Sequence, residues 1–179
     1  MWIVIVVAAV LVIAAIAWAV WERRRREGLR DRYGPEYERL EEDEGARHAA
    51  AELRERERRR ETFDIRPLSS EQRSRFADAW EDLQARFVDA PNVAVLEADR
   101  LVIEVMRAKG YPMDDFDQRA ADLSVDHPRV VENYRTAHDV AMRSEKGDAD
   151  TEELRKATLA YRELFEELLE EEPGYERTG

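Results

Sequence analysis

The sequence predicts an all-α protein with an N-terminal transmembrane helix, a charged linker helix and an antiparallel four- or five-helix bundle. Three observations predict this class: an apolar run of about 20 residues at the N-terminus, a stretch dense in Glu and Arg, and apolar stripes at helical spacing separated by Gly and Pro. No strand pattern competes with them. The predicted segments are an anchor at 1–22, a connector at 23–62, an acidic bundle at 63–172 and a tail at 173–179.

The predicted anchor begins with an uncharged run from Trp2 to Trp21. A helix of about 20 residues is about 30 Å long, which matches the hydrocarbon core of a bilayer. Trp2 at one end, and Trp18 and Trp21 at the other, suit the two membrane interfaces. A cleavable signal peptide is the alternative, but such peptides have a positive start and a shorter apolar core. The run therefore favours an uncleaved anchor.

Four arginines, Arg23, Arg24, Arg25 and Arg26, follow the apolar run almost at once. Basic residues beside a span stay in the cytoplasm, which predicts a single-pass plasma-membrane protein with its N-terminus outside and its C-terminal domain cytoplasmic. The same arginines can also contact anionic lipid headgroups. An extracytoplasmic position of the C-terminal domain remains an open alternative.

The connector combines many charged residues with few apolar ones. Gly34 and Pro35 predict the end of one helix and the start of another. The residues after them favour a solvated, semi-rigid spacer helix, with Gly45 as a possible break. Arginines between 54 and 60 alternate with glutamates, which favours a solvated face over a basic patch.

The bundle region shows five helical segments. Ser69 and Gln72 fit a capping box ahead of a stripe of large apolar residues, Phe76, Trp80, Leu83 and Phe87. The next segment, 91–109, is the most apolar and is therefore predicted to lie centrally, and Gly110 and Pro112 end it.

Three further segments follow this central helix. A short helix is predicted at 114–123, and the fourth begins near Pro128 with Asp126 or His127 as its cap. Asp150 with Glu153, or Thr151 itself, is predicted to cap the fifth.

Asp99 is the unusual residue of the central helix, because it lies among apolar residues opposite the polar strip. A carboxylate in that position must be paired, hydrogen-bonded or protonated. His138, on the apolar face of the fourth helix, is the candidate partner. Such a pair can form an acid–base dyad, but a structural polar contact is the more common role. We therefore predict a buried polar pair at Asp99 and His138 rather than a catalytic centre.

Composition and motifs exclude several functional classes. The chain has no cysteine, so disulfides and thiol catalysis are excluded. It has no Glu-x-x-His motif, and the acidic residues after Asp148 lack the glycine of a calcium-binding loop. We predict no catalytic residue, no metal site, no cofactor and no enzymatic activity.

Charge is unevenly distributed, with a net +1 over residues 22–60 and −13 over residues 61–179. The acidic bundle disfavours nucleic-acid binding, which depends on neutralising phosphate. The predicted partners are therefore the lipid bilayer and either an unknown protein or a second copy of the chain.

Several short stretches resemble a group of single-span bacterial membrane proteins that has no assigned activity. The stretches that carry the resemblance run from 34 to 37, 64 to 68, 87 to 89, 110 to 112, 121 to 128 and 134 to 138. The resemblance covers most of the bundle and part of the connector. It implies a bacterial membrane protein and implies nothing about catalysis.

These observations predict a membrane-anchored helical interaction or scaffold module. The alternative is a small-molecule-binding sensor or enzyme accessory that uses a pocket near Asp99 and His138. A filled core favours the interaction module, whereas an enclosed polar pocket at Asp99 favours the sensor.

Overall fold

The computed structural model describes residues 2, 13, 16–18, 23–24 and 27–170. Over these residues the chain forms helices joined by turns, with no strand, so the all-α class is confirmed. Residues 27–33 are helical. The helices that follow are α1 (Pro35–Glu44), α2 (Ala46–Arg60), α3 (Ser70–Phe87), α4 (Pro91–Lys109), α5 (Phe116–Asp126), α6 (Val131–Glu145) and α7 (Thr151–Leu169).

The predicted transmembrane helix at 1–22 and the tail at 173–179 lie mostly or wholly outside the described residues. Among the helices that the structure does describe, none is both long and apolar enough to cross a membrane. The described residues of the apolar run are helical and expose large side chains, with exposed fractions of 82% for Trp2, 66% for Ile13, 58% for Ile16 and 65% for Trp18. The anchor therefore stays a prediction.

The chain divides into two compact units, Met1–Arg54 and Glu55–Gly179, with the boundary inside α2. The boundary predicted from the sequence, between residues 62 and 63, lies within the second unit. The last residues of α2 therefore belong with the bundle.

In the first unit, the helix breaks predicted at Gly34 and Gly45 are confirmed, but the prediction that this charged segment is solvated throughout is wrong. Glycines with positive φ, Gly34 at 48° and Gly45 at 84°, separate the helical segments. These two turns break a long helix into short ones, which lets its sparse apolar residues meet. The buried cluster consists of Tyr33, Tyr37, Leu40, Ala49 and Leu53. Glu36 is also fully buried, and Arg39 Nη2 donates to its Oε1 at 2.9 Å.

The second unit is a helical bundle, as predicted, with α4 at its centre. α4 packs against α3, α6 and α7, and nine of its residues are buried, which confirms the predicted central helix. α6 and α7 run antiparallel, because Asn133 contacts Glu163 near the start of α6 and Arg143 contacts Glu153 near its end. α4 and α7 run parallel, since Tyr161 and Leu168 of α7 contact Asp99 and Lys109 of α4 in the same order.

Local capping signals in the sequence predicted two of the helix starts correctly. The capping boxes of Ser69 with Gln72 and of Asp150 with Glu153 are both present, so these predictions are confirmed. The predicted cap of the fourth helix is wrong. α6 begins at Val131 without a side-chain cap, and Asp126 is instead the last residue of α5.

The physical reason is that the side chains of Asp126 and His127 are used elsewhere. Tyr111 OH donates to Asp126 Oδ2 at 2.7 Å, and His127 Nδ1 lies 2.9 Å from Glu167 Oε1. These partners are 15 and 40 residues away in the sequence, so a local capping pattern cannot predict these contacts.

Gly110 closes α4 and brings the preceding extended segment against it. Its φ of 100° is the left-handed conformation that glycine adopts without steric cost. Arg66 N donates to Lys109 O at 2.9 Å, so the backbone near residue 65 crosses the end of the helix. A Cβ at Gly110 would lie 2.5 Å from Asp64 O. The absence of a side chain at position 110 therefore permits this crossing.

Candidate functional site

Asp99 is the centre of a buried polar network that joins α4, α6 and α7. Its side chain is buried, and its Oδ1 accepts a hydrogen bond from Tyr161 OH at 2.9 Å. His138 Nδ1 lies 3.1 Å from the same oxygen, a distance at which an Nδ1–H donates. The structure thus brings together the two residues that the sequence singled out. Tyr161 is an additional partner that the sequence pattern indicated only as a core residue.

Aromatic rings fill the space around this network. Phe116 stacks on His138 with ring centroids 3.7 Å apart and planes 8° apart. Tyr134 meets the ring of Tyr161 edge-on, and Arg119 Nε donates to Tyr134 OH at 3.3 Å. The side chain of His138 keeps 18% of its surface exposed. The arrangement holds three helices in register and satisfies a buried carboxylate.

Burial and charge act together on the two tyrosines of the network. Burial raises the pKa of Tyr161 far above its ordinary value, and the negative charge of Asp99 raises that pKa further. Burial also raises the pKa of Tyr134, while its hydrogen bond with Arg119 opposes the shift. Both hydroxyls therefore stay protonated in the folded protein at pH values where they ionise in the unfolded chain.

This difference predicts a loss of stability in alkali. The folded-state pKa values are raised, so the stabilisation is complete below the unfolded value of 10.0 and is lost as pH rises above it. Each tyrosine should lower the free energy of unfolding by up to about 1.4 kcal/mol per pH unit above pH 10. Urea unfolding of the full chain in detergent at several pH values between 9 and 11.5 measures this slope.

Two phenylalanine variants separate the contributions to the alkaline slope. Tyr161→Phe removes one titrating group and should therefore reduce the slope by up to about 1.4 kcal/mol per pH unit. Tyr134→Phe should reduce the slope by a similar amount. The difference in slope between each variant and the wild type gives the contribution of that tyrosine. An unchanged slope in the Tyr161→Phe variant would contradict the assignment of the alkaline loss to this network.

A second polar cluster joins the end of α2 to α5. Arg59 Nε donates to Asp122 Oδ1 at 2.8 Å, and the Asp122 side chain is 1% exposed. Arg59 Nη2 also contacts Asp114, and the hydrogen bond to Asp122 raises the pKa of Arg59. These ion pairs lie within the second unit and attach the end of α2 to the bundle.

Two neighbouring arginines take part in the same attachment. Arg60 pairs with Asp126, and Arg56 Nη1 donates to Ser124 Oγ at 3.1 Å. The prediction that the arginines between 54 and 60 form a solvated face is therefore wrong for Arg56, Arg59 and Arg60. Their partners lie 55 to 68 residues away in the sequence. The local alternation of Arg with Glu therefore gives no indication of these long-range contacts.

A groove of about 670 Å³ lies between α3 and α7 on the surface of the bundle. Its apolar floor consists of Ala77, Trp80, Phe165 and Leu169. Its charged rim consists of Arg73, Glu81, Arg162, Glu166 and Glu170. Neither Asp99 nor His138 lines it, so the groove and the polar network are separate features.

The floor of this groove is built on an aromatic pair. The rings of Trp80 and Phe165 stack with centroids 4.7 Å apart and planes 20° apart. Trp80 Nε1 is buried and has no hydrogen-bond partner within the described part of the chain. A buried indole N–H usually has a partner. The sequence predicted that Trp80 and Phe165 are core residues. Nothing in it indicated that the indole N–H of Trp80 would lack a hydrogen-bond acceptor.

The predicted lipid-contacting arginines are only partly described. Arg23 and Arg24 are exposed helical residues, and Arg23 Nε lies 3.6 Å from Glu27 Oε1. Arg25 and Arg26 lie outside the described residues. Where side chains are described, no group of three or more Asp, Glu or His residues converges on a possible metal position.

The fold and these sites define an all-α protein with a helical bundle. No protein-family model matches the chain, and comparisons with curated proteins and with solved structures gave no significant match. The resemblance to single-span bacterial membrane proteins therefore stays a prediction.

Proposed function

We propose that this protein is a membrane-tethered helical interaction module. The residues from Trp2 to Trp21 anchor it in the plasma membrane, with its N-terminus outside. The acidic bundle lies in the cytoplasm and presents a binding surface to a protein partner. This is a binding function, in which no residue of the chain performs catalysis.

The observation that carries the proposal is the exposure of four large apolar side chains near the N-terminus. Trp2, Ile13, Ile16 and Trp18 each expose more than half of their surface on helical residues. Exposed large apolar side chains are costly in water, and in the sequence these four belong to one uncharged run, which is typical of a segment that contacts a membrane or another protein. The absence of charge between Trp2 and Trp21, followed by four arginines, favours the membrane.

The network at Asp99 favours an interaction module over a small-molecule sensor. A sensor of the predicted kind needs polar groups that are available to a ligand. Asp99 Oδ1 already accepts from Tyr161 and lies within hydrogen-bond distance of His138, on which Phe116 stacks. These groups satisfy one another, so they serve the stability of the bundle.

Cell fractionation tests the tether. The full chain should sediment with membranes and resist washing with high salt and with alkaline carbonate, because apolar burial in lipid does not depend on ionic strength. A variant without residues 2–26 should remain in the supernatant with the helical circular dichroism of a folded bundle. Replacing Arg23 to Arg26 by glutamines is the matched control, which should leave the protein in the membrane fraction.

Protease accessibility tests the orientation. The bundle should be digested in inverted membrane vesicles and protected in intact spheroplasts, because basic residues beside a span are retained in the cytoplasm. The opposite pattern would place the bundle outside the cytoplasm. Recovery of a soluble mature chain that lacks the apolar run would contradict the tether itself.

A further inference from the structure

We propose that the C-terminal end of α2, residues 55–60, is an ionic latch that detaches from α5 while the bundle stays folded. This inference goes beyond the proposed interaction function and does not depend on the membrane tether. It is carried by the polar nature of the attachment, by the second partners of the groups on α5, and by the different way in which residues 64–68 are held.

Ion pairs and a hydrogen bond hold the end of α2 in place. Arg56, Arg59 and Arg60 make these contacts, with partners on α5 or just before it. In the described part of the chain, the apolar core of the bundle contains no residue of α2, and α2 is not among its closely packed helices. The attachment therefore depends on charged side chains. Arg59 and Asp114 are 37% and 50% exposed, so salt weakens their attraction.

Asp122 is the most deeply buried partner of the latch, with a side chain that is 1% exposed. Breaking a buried ion pair is costly when the remaining charge is left without a partner. Asp122 Oδ1 also accepts from Gln118 Nε2 at 2.9 Å, and this hydrogen bond lies within α5. When the latch opens, Asp122 keeps that partner and gains contact with water, so opening costs less than breaking a pair inside a closed core.

The other two partners on α5 are also satisfied without α2. Asp126 Oδ2 accepts from Tyr111 OH at 2.7 Å. Ser124 Oγ donates to Ala121 O at 2.6 Å. Detachment of α2 therefore leaves each of these polar groups with a hydrogen-bond partner in the bundle, which favours a reversible contact.

The chain just after α2 is held in a different way. Leu68 is buried in the core of the bundle, Ile65 packs against that core, and Arg66 N donates to Lys109 O at 2.9 Å. Ionic strength acts on charges and has little effect on apolar burial or on a backbone hydrogen bond. The turn at residues 61–63 thus separates an ionic contact from an apolar one, and the latch pivots there.

Thiol labelling of the full chain in detergent measures the opening, because the chain has no cysteine of its own. Ser124→Cys places a thiol at the fully buried position that Arg56 contacts. Its labelling by a maleimide should be about threefold faster at about 0.5 M NaCl than at about 0.05 M. Ser144→Cys, at a buried position of α6, is the control, and salt should not change its labelling rate.

Loss of the latch arginines should have the same effect at low salt. Arg59→Gln combined with Arg60→Gln should accelerate labelling at position 124 about tenfold and abolish its dependence on salt. Arg155→Gln combined with Arg162→Gln removes two ion pairs of α7 and changes the net charge equally, so it should leave the rate unchanged. Circular dichroism of each variant checks that the bundle is folded.

Trypsin cleavage supplies a second readout without a new side chain at position 124. Asp114→Asn combined with Asp126→Asn weakens the latch from the side of the bundle and leaves every arginine of α2 in place. Cleavage within residues 55–60, identified by mass spectrometry, should become about fivefold faster, because a detached helix end frays. Glu152→Gln combined with Glu166→Gln is the matched control and should not change this cleavage.

Three results would overturn the latch. The first is labelling at position 124 that neither salt nor the loss of both arginines accelerates. The second is labelling at positions 124 and 144 that always accelerates together, which would show that α2 detaches only when the whole bundle unfolds. The third is cleavage of α2 that the two asparagine substitutions leave unchanged. Failure of the tether would not alter these rates, because every contact of the latch lies between residues 55 and 126.

Discussion

Replacing Asp99 by alanine should lower the free energy of unfolding by about 3 kcal/mol. The substitution removes the acceptor of Tyr161 OH and the partner of His138 Nδ1 in a buried position. A hydrogen bond to a charged group contributes about 1.5–3 kcal/mol, and a buried hydroxyl left without an acceptor costs about 1–3 kcal/mol. Urea unfolding of the full chain in detergent, followed by circular dichroism, measures the loss.

Related variants show whether the loss comes from the network. Asp99→Asn retains one acceptor oxygen and should cost about 1 kcal/mol. Combining Asp99→Ala with Tyr161→Phe should cost less than the sum of the two single changes, because the unsatisfied hydroxyl is also removed. Asp139→Ala, at an exposed position beside His138, should change stability by about 0.5 kcal/mol or less. Additive effects of Asp99→Ala and Tyr161→Phe would contradict the coupling.

Replacing Gly110 by alanine should lower the free energy of unfolding by about 3 kcal/mol or more. Two costs combine at this position. The φ of 100° strains any residue with a Cβ, at about 1–2 kcal/mol, and the new Cβ would meet the backbone oxygen of Asp64 at 2.5 Å. Backbone atoms yield less easily than the end of a flexible side chain, so the segment near Asp64 must move away from α4.

Gly147 is a matched control for this prediction. Its φ is 78°, but a Cβ added there would meet nothing within 4 Å. Gly147→Ala should therefore cost only the conformational strain, about 1–2 kcal/mol. Comparison of the two variants in the same urea experiment isolates the steric contribution. Equal losses would show that the approach of Asp64 to Gly110 contributes nothing to stability.

Helix positions could be predicted where the signals are local. The apolar periodicity and the prolines and glycines around 91–109 placed α4 at its observed bounds, and the two capping boxes located the starts of α3 and α7. Such signals involve residues within one helical turn of each other, so they can be recognised in a single sequence. Asp99 and His138 were also predictable as a pair, because each is a polar residue on an otherwise apolar helix face.

Features that depend on distant partners could not be predicted. Arg59 and Arg60 resemble solvated residues in the sequence, but their partners Asp122 and Asp126 come from a helix more than 60 residues later. Tyr161 has the spacing of an ordinary core residue, and only the arrangement of α4, α6 and α7 places its hydroxyl on Asp99. The position of the groove depends on how α3 and α7 pack on α4.

The sequence alone determined the all-α class, the central helix and the uneven distribution of charge, because these follow from composition, periodicity and local steric preferences. It also supplied the prediction of a membrane anchor. Only the tertiary structure decided which polar groups are paired, where the first unit buries its tyrosines and which helices flank the groove. Those properties depend on the relative position of segments far apart in the chain, and a hydrogen bond or stacked ring depends on distances of a few ångströms that no local pattern encodes.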